Sequence, residues 1–189
     1  MKDYVTRYLL NQKKTIDSIP VDQVARLIET FRAALKEDRQ IFAFGNGGSG
    51  ANASHFITDL GKSSSDKTYR RFRCLCLNDN VSWITAIGND YQFEDVFKRQ
   101  LENYAKPNDL VLVLGVSGNS PNLVSAVTWC RNNKVHTIAL VGGKKGELAE
   151  LADQAIVIDS VHYGEVEDAQ MNICHIICYA FVENKELQS

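Results

Sequence analysis

Apolar residues recur along this chain in two rhythms. Short unbroken runs, the mark of buried strands, alternate with longer stretches at helical spacing. Residues 1–18 read as a helix. A second helix follows Ser18 and Pro20, with Val24, Leu27, Ile28, Phe31 and Leu35 on one face. Gln40 to Phe44 is an apolar run ending at Gly45. A glycine-rich turn, Asn46 to Gly50, leads into a helix over about 50–62. Phe72 to Leu77 reads as the next strand. Asn78-Asp79-Asn80 can cap a helix running through Ala86, and residues 93–104 place Phe93, Phe97, Leu101 and Tyr104 on one helical face. Leu110 to Gly115 is continuously apolar, as a strand covered on both faces must be. A polar loop at 117–120, a helix through Asn133, a strand at 136–141, a short helix near 147–151, a strand at 155–158 and a long helix over roughly 165–184 complete the chain.

Five strands alternating with helices require crossover connections. The pattern therefore predicts an α/β fold with a mostly parallel sheet and helices on both faces. Ligands in such sheets sit beyond the carboxyl ends of strands, near the point where strand order reverses, so the loops after strands are where chemistry is expected. The 189 residues suit one domain, with residues 1–36 as an N-terminal helical extension and 37–189 as the core.

Composition narrows the classes. With 44% hydrophobic and 23% charged residues the chain is neither disordered nor collagen-like, and no apolar window is long enough to span a membrane. A formal net charge of -2 argues against a nucleic-acid partner. The five cysteines, 74, 76, 130, 174 and 178, are odd in number and include no CxxC pair, which argues against a disulfide framework and a thiolate zinc site. The N-terminal residues lack an apolar signal region, so the expected setting is reducing and cytoplasmic.

Two loops carry candidate chemistry. Gly45-Asn46-Gly47-Gly48-Ser49-Gly50 lies between a strand and a helix start, where glycines allow close backbone approach and free N–H groups favour an anion. Neither a Walker loop nor the dinucleotide glycine spacing is present, so Asn46, Gly47, Gly48 and Ser49 are candidate phosphate contacts or simply a tight turn. Ser117-Gly118-Asn119-Ser120 repeats the logic after the most apolar strand; alone, Ser120 ahead of Pro121 reads as an ordinary helix cap. Together the two loops imply one phosphate held by hydroxyls and backbone dipoles, with no arginine in either.

His55 and Asp59 are four apart on a predicted helix and share a face. Glu167 and His175 are eight apart on the last helix, an offset of about 80°, and Asp168 aligns better with His175 on geometry alone. Two histidines and two carboxylates form a plausible zinc set, although the same spacing also occurs in surface contacts. Asn89 and Asp90 either line a pocket or form a turn. Gln170 faces substrate or a subunit interface. His136 and the Lys144-Lys145 turn read as structural and solvated, respectively.

Gly45-Asn46-Gly47-Gly48-Ser49, His55-Phe56, Thr85-Ala86-Ile87-Gly88-Asn89-Asp90 and Ser117-Gly118-Asn119-Ser120-Pro121-Asn122 occur in this order, and together they resemble the phosphoheptose isomerases of the sugar isomerase (SIS) domain superfamily. The resemblance implies a three-layer α/β/α sandwich around a five-stranded parallel sheet of flavodoxin-like type. It implies a homotetramer whose active sites are lined by more than one subunit, and conversion of sedoheptulose 7-phosphate, a phosphorylated seven-carbon sugar, to D-glycero-D-manno-heptose 7-phosphate for surface polysaccharide. It assigns phosphate contacts to Ser49, Ser117 and Ser120, with Asn46, Gly47, Gly48, Asn89, Asp90, Asn119 and Glu167 around the sugar. It also assigns Zn²⁺ to His55, Asp59, Glu167 and His175, with Asp59 as base and His175 as acid. The sequence departs from the family's pattern in several places. Gly115 and Val116 stand where the second loop usually has Ser-Thr, Asp59 replaces Glu, and Glu167 replaces Gln. An altered substrate, a non-catalytic SIS adaptor or a sugar-phosphate sensor are the competing readings.

Overall fold

The structure, a computed structural model, describes all residues, 1–189. Five strands form one fully parallel sheet in the order β2-β1-β3-β4-β5: β1 (Gln40–Gly45), β2 (Arg73–Cys76), β3 (Leu110–Gly115), β4 (His136–Gly142) and β5 (Gln154–Ile158). Strand order reverses between β1 and β3, where Gly45 pairs in register with Leu114. The ends of both candidate loops therefore lie at the switch point.

Alternation along the strands divides the core into two layers, because successive side chains point to opposite faces. On one face Ile41, Ala43, Leu110, Leu112, Leu114, Ile138, Leu140, Ile156 and Ile158 pack under α2 (Val21–Lys36), α3 (Gly47–Asp59) and α8 (Tyr163–Glu183). On the other face Phe42, Phe44, Val111, Val113, Ala139 and Val141 meet α4 (Val81–Asp90), α5 (Lys98–Tyr104), α6 (Pro121–Asn132) and α7 (Gly146–Leu151). The N-terminal helix α1 (Lys2–Asp17) buries only Thr15 and exposes Tyr4, Val5, Leu9 and Leu10.

Several boundaries differ from the sequence reading, among them α4, which runs past Ala86 to Asp90. The glycine run is already helical: α3 begins at Gly47, whose φ of +54° needs glycine, so the expected turn is the first turn of the helix. At its other end α3 runs into a π-helical turn, Leu60–Ser64. The expected 93–104 helix is a 3₁₀ turn, Phe93–Asp95, followed by α5. Its apolar face is only half used, since Phe97 and Leu101 are buried while Phe93 and Tyr104 are exposed. The Asn80 cap on α4 forms as expected, its side chain accepting from the Trp83 N–H at 3.1 Å.

Candidate active site: a glycine-rich helix start and a His/Asp/His cluster

The two loops are physically joined. The side-chain amides of Asn46 and Asn122 exchange reciprocal hydrogen bonds of 2.9 and 2.8 Å, linking the start of α3 to the first turn of α6. Asn78 bonds both the N–H and the carbonyl of Gly45, at 3.2 and 2.8 Å, and fixes the end of β1 from β2's side. Sequence reading placed Asn122 within a motif without giving it a role, and only its position at the start of a helix after a serine loop hinted at one.

The serines divide into two kinds. Ser49 is buried, and its hydroxyl donates to Gln170 Oε1 at 3.0 Å, while the Gln170 amide donates to the Leu140 carbonyl. Its one proton is thus committed to tying α3 to α8 and β4. Gln170, considered above for substrate or an interface, is fully buried in this clamp. Ser117 and Ser120 are half-buried. The Ser117 hydroxyl accepts from the Asn119 N–H at 3.2 Å, and neither serine donates its own proton within the chain. Asn119 is engaged as well, accepting from the Glu147 N–H at 2.9 Å. Gly47 and Gly48 are exposed at the helix start. Asn89 and Asp90 lie at the exposed end of α4 and bond each other.

Further along α3, three predicted residues converge. Asp59 Oδ2 lies 3.4 Å from His55 Nε2 and 3.6 Å from His175 Nε2. One ligand atom from each of the three falls within 4.8 Å of the others, and the two imidazoles meet edge-to-face at 5.1 Å. Helical spacing joins His55 to Asp59, and close packing of α3 on α8 brings in His175. Asp59 therefore reaches both imidazoles despite its short side chain.

Donor spacing gives a test of metal fit. Zinc bonds of ~2.0–2.1 Å at tetrahedral angles separate neighbouring ligand atoms by about 3.4 Å. The two Asp59–histidine spacings are compatible with this, and three protein donors leave a fourth position open, as catalytic sites require. Half-exposed His55 and His175 make the cluster accessible from solvent. Behind it Cys174 and Cys178 are buried thiols. Burial, with nearby negative groups including Asp59 adding to it, pushes both well above the usual thiol range, so they stay protonated and supply no thiolate.

Glu167 does not join the cluster. Eight residues of helix separate it from His175 by about 12 Å along the axis, a distance that the angular argument left out. Its carboxylate lies instead over the first turn of α3: a Cβ on Gly48 would sit 2.6 Å from Oε1. Asp168, the alternative ligand, is exposed and likewise outside the group of three.

This geometry has close relatives. The family model for the SIS domain matches residues 4–142. A phosphoheptose isomerase of Pelobacter propionicus is 33% identical, with 94% of this chain and 95% of the relative covered. The chain belongs to the phosphoheptose isomerase family of SIS domain proteins. Solved structures agree with that membership. A phosphoheptose isomerase from Francisella tularensis superposes with a TM-score of 0.88 at 26% identity, covering 96% and 98% of the two chains. One from Neisseria gonorrhoeae gives 0.87, also at 26% identity, covering 95% and 97%.

Proposed function

We propose that the protein is an aldose–ketose isomerase that interconverts sedoheptulose 7-phosphate and D-glycero-D-manno-heptose 7-phosphate. The observation that carries this is the convergence of His55, Asp59 and His175 on the helix that begins at the switch-point glycine loop. Isomerisation moves a proton between C1 and C2 through an enediolate, which calls for a base at the carbons and an acid at the oxygens. Asp59 Oδ2 faces both imidazoles, which leaves Oδ1 to take the carbon-bound proton. His175 moves the proton between the two oxygens. His55 holds the Asp59 carboxylate in place. The phosphate is fixed by the free hydroxyls of Ser117 and Ser120 and by the N–H groups at the start of α3.

His55, Asp59 and His175 would hold a divalent ion, Zn²⁺ by the match of donor type and spacing. When bound, such an ion supplies positive charge to polarise the substrate oxygens and stabilise the enediolate.

The site is shared between subunits of a homotetramer. His55 and Asp59 lie about 12 and 18 Å along α3 from its start. A seven-carbon sugar phosphate extends on the order of 10 Å by its bond lengths. A phosphate seated on one protomer's loops therefore leaves the sugar short of that protomer's own cluster, which supports a site completed by a second copy. Exposed Ile176 and Tyr179 beside His175 and the bare apolar side of α1 support burial against neighbouring copies. The enzyme would act in the cytoplasm, supplying heptose for surface polysaccharide. No helix is long and apolar enough to cross a membrane.

The test is turnover of sedoheptulose 7-phosphate by protein stripped of metal and reloaded with Zn²⁺, beside His55→Ala. Activity that is lost on stripping, returns with zinc and is absent in the variant is the expected result. Absence of turnover by zinc-loaded wild-type protein would overturn the proposal.

A further inference from the structure

The phosphate site described above has a deficit of charge. A phosphate monoester at neutral pH carries nearly two negative charges. The two loops offer it no cation. Ser49's proton is committed to Gln170, and the Glu167 carboxylate lies over Gly48 at the same helix start. Helix dipole and neutral hydroxyls alone face a dianion beside a carboxylate.

The turn after β4 holds the missing charge. Lys144 and Lys145 follow Gly143, and the turn packs directly on the serine loop. The Leu148 N–H donates to the Gly118 carbonyl at 3.0 Å, and the Glu147 N–H donates to Asn119 Oδ1 at 2.9 Å. Gly118, at φ +69°, has no room for a Cβ because the Lys145 backbone occupies that space. Neither lysine has a carboxylate within ion-pair distance anywhere in the chain; the salt bridges form elsewhere.

The backbone at Lys145 makes this more than a loose surface charge. Its φ and ψ are 63° and -65°, with the Gly146 N–H closing on the Lys144 carbonyl at 2.7 Å. That is the strained form of the three-residue turn, rarely adopted by a residue with a side chain. Glycine, which adopts positive φ freely, occupies the positions on either side of the lysine pair, 143 and 146, yet the strained position carries a lysine. Lysine side chains span roughly 6 Å from Cα to Nζ by bond lengths, and Ser117 precedes Gly118 directly while Ser120 follows it by two residues.

We propose that Lys145 is a substrate-binding residue: its ammonium group neutralises the phosphate of the sugar phosphate held by Ser117 and Ser120. It supplies charge where Gly115 and Val116 provide no hydroxyls. This inference rests on the sugar-phosphate reading of the site and adds the cation which that reading lacks.

The test compares the affinity of zinc-free wild-type protein for sedoheptulose 7-phosphate and for inorganic phosphate with that of Lys145→Ala, Lys145→Gly, Lys145→Arg and Lys144→Ala. Lys145→Gly relaxes the turn, so it separates the side chain's charge from the backbone's strain. Expected are a tenfold or greater loss of affinity for both ligands in Lys145→Ala and Lys145→Gly, near-wild-type affinity in Lys145→Arg, and a smaller change in Lys144→Ala. In the zinc-loaded enzyme the loss appears in KM with kcat little changed, as for a contact made equally in ground and transition states. Wild-type affinity in Lys145→Ala or Lys145→Gly overturns the role of Lys145 while leaving the sugar-phosphate reading intact. A wild-type protein that binds neither ligand overturns both.

Discussion

Asp59 is where the residue-scale argument is tightest. One carboxylate oxygen serves two imidazoles at 3.4 and 3.6 Å, so its reach sets the whole cluster. The added methylene of Asp59→Glu carries the oxygen about 1.5 Å further, out of the position it holds between the two imidazoles. We expect Asp59→Glu to lower kcat at least tenfold while leaving the thermal midpoint within a few degrees, read by steady-state assay and thermal unfolding. An unchanged kcat would show that the helices adjust to side-chain length. Single residues also mark the limit of sequence reading. Spacing alone joined His55 to Asp59, because four residues define a shared helical face. It could not place Glu167, since an angular offset says nothing about rise along the axis. Nor could it show that Ser49 turns inward to Gln170, because a serine in a glycine loop carries no sign of which way its hydroxyl points.

At the scale of elements, α3 performs two tasks. Its first turn presents exposed glycines and backbone N–H groups at the switch point, and its last turn presents His55 and Asp59. Such a helix must be held in register against α8, and three contacts do so. Ser49 bonds Gln170, Asn52 donates to the Glu167 carbonyl at 2.8 Å, and Ser64 in the π-helical turn donates to the Cys178 carbonyl at 3.0 Å. π-helical turns recur at functional sites because they re-aim the residues beside them, and this one directly follows Asp59. The strands and long helices were legible in the sequence because their apolar periods are long and unambiguous. The start of α3 and the break before α5 were not. Glycine-rich residues read as turn, although dipole and packing favour helix there. The Phe93-to-Tyr104 stripe reads as one face, although the chain buries only its middle.

At the scale of the whole molecule the alternation of strands and helices required a parallel sheet with crossover connections, while the order β2-β1-β3-β4-β5 is supplied by the structure. That order sets both candidate loops side by side. What the fold leaves bare supports the proposed assembly. Tyr4, Val5, Leu9 and Leu10 on α1 are all more than half exposed, a costly arrangement for a helix that stays in water. Light scattering at micromolar concentration is expected to give the mass of four chains, and Leu9→Glu with Val5→Glu to shift it downward. A wild-type monomer with full activity would rule out a shared site.

In the proposed mechanism Asp59 takes the carbon-bound proton of a ketose phosphate. Proton magnetic resonance of zinc-loaded enzyme turning over sedoheptulose 7-phosphate in deuterium oxide follows that proton. Solvent deuterium is expected at C2 of the aldose product with wild-type protein and none with Asp59→Asn. Exchange at the wild-type rate in Asp59→Asn would contradict this role of Asp59.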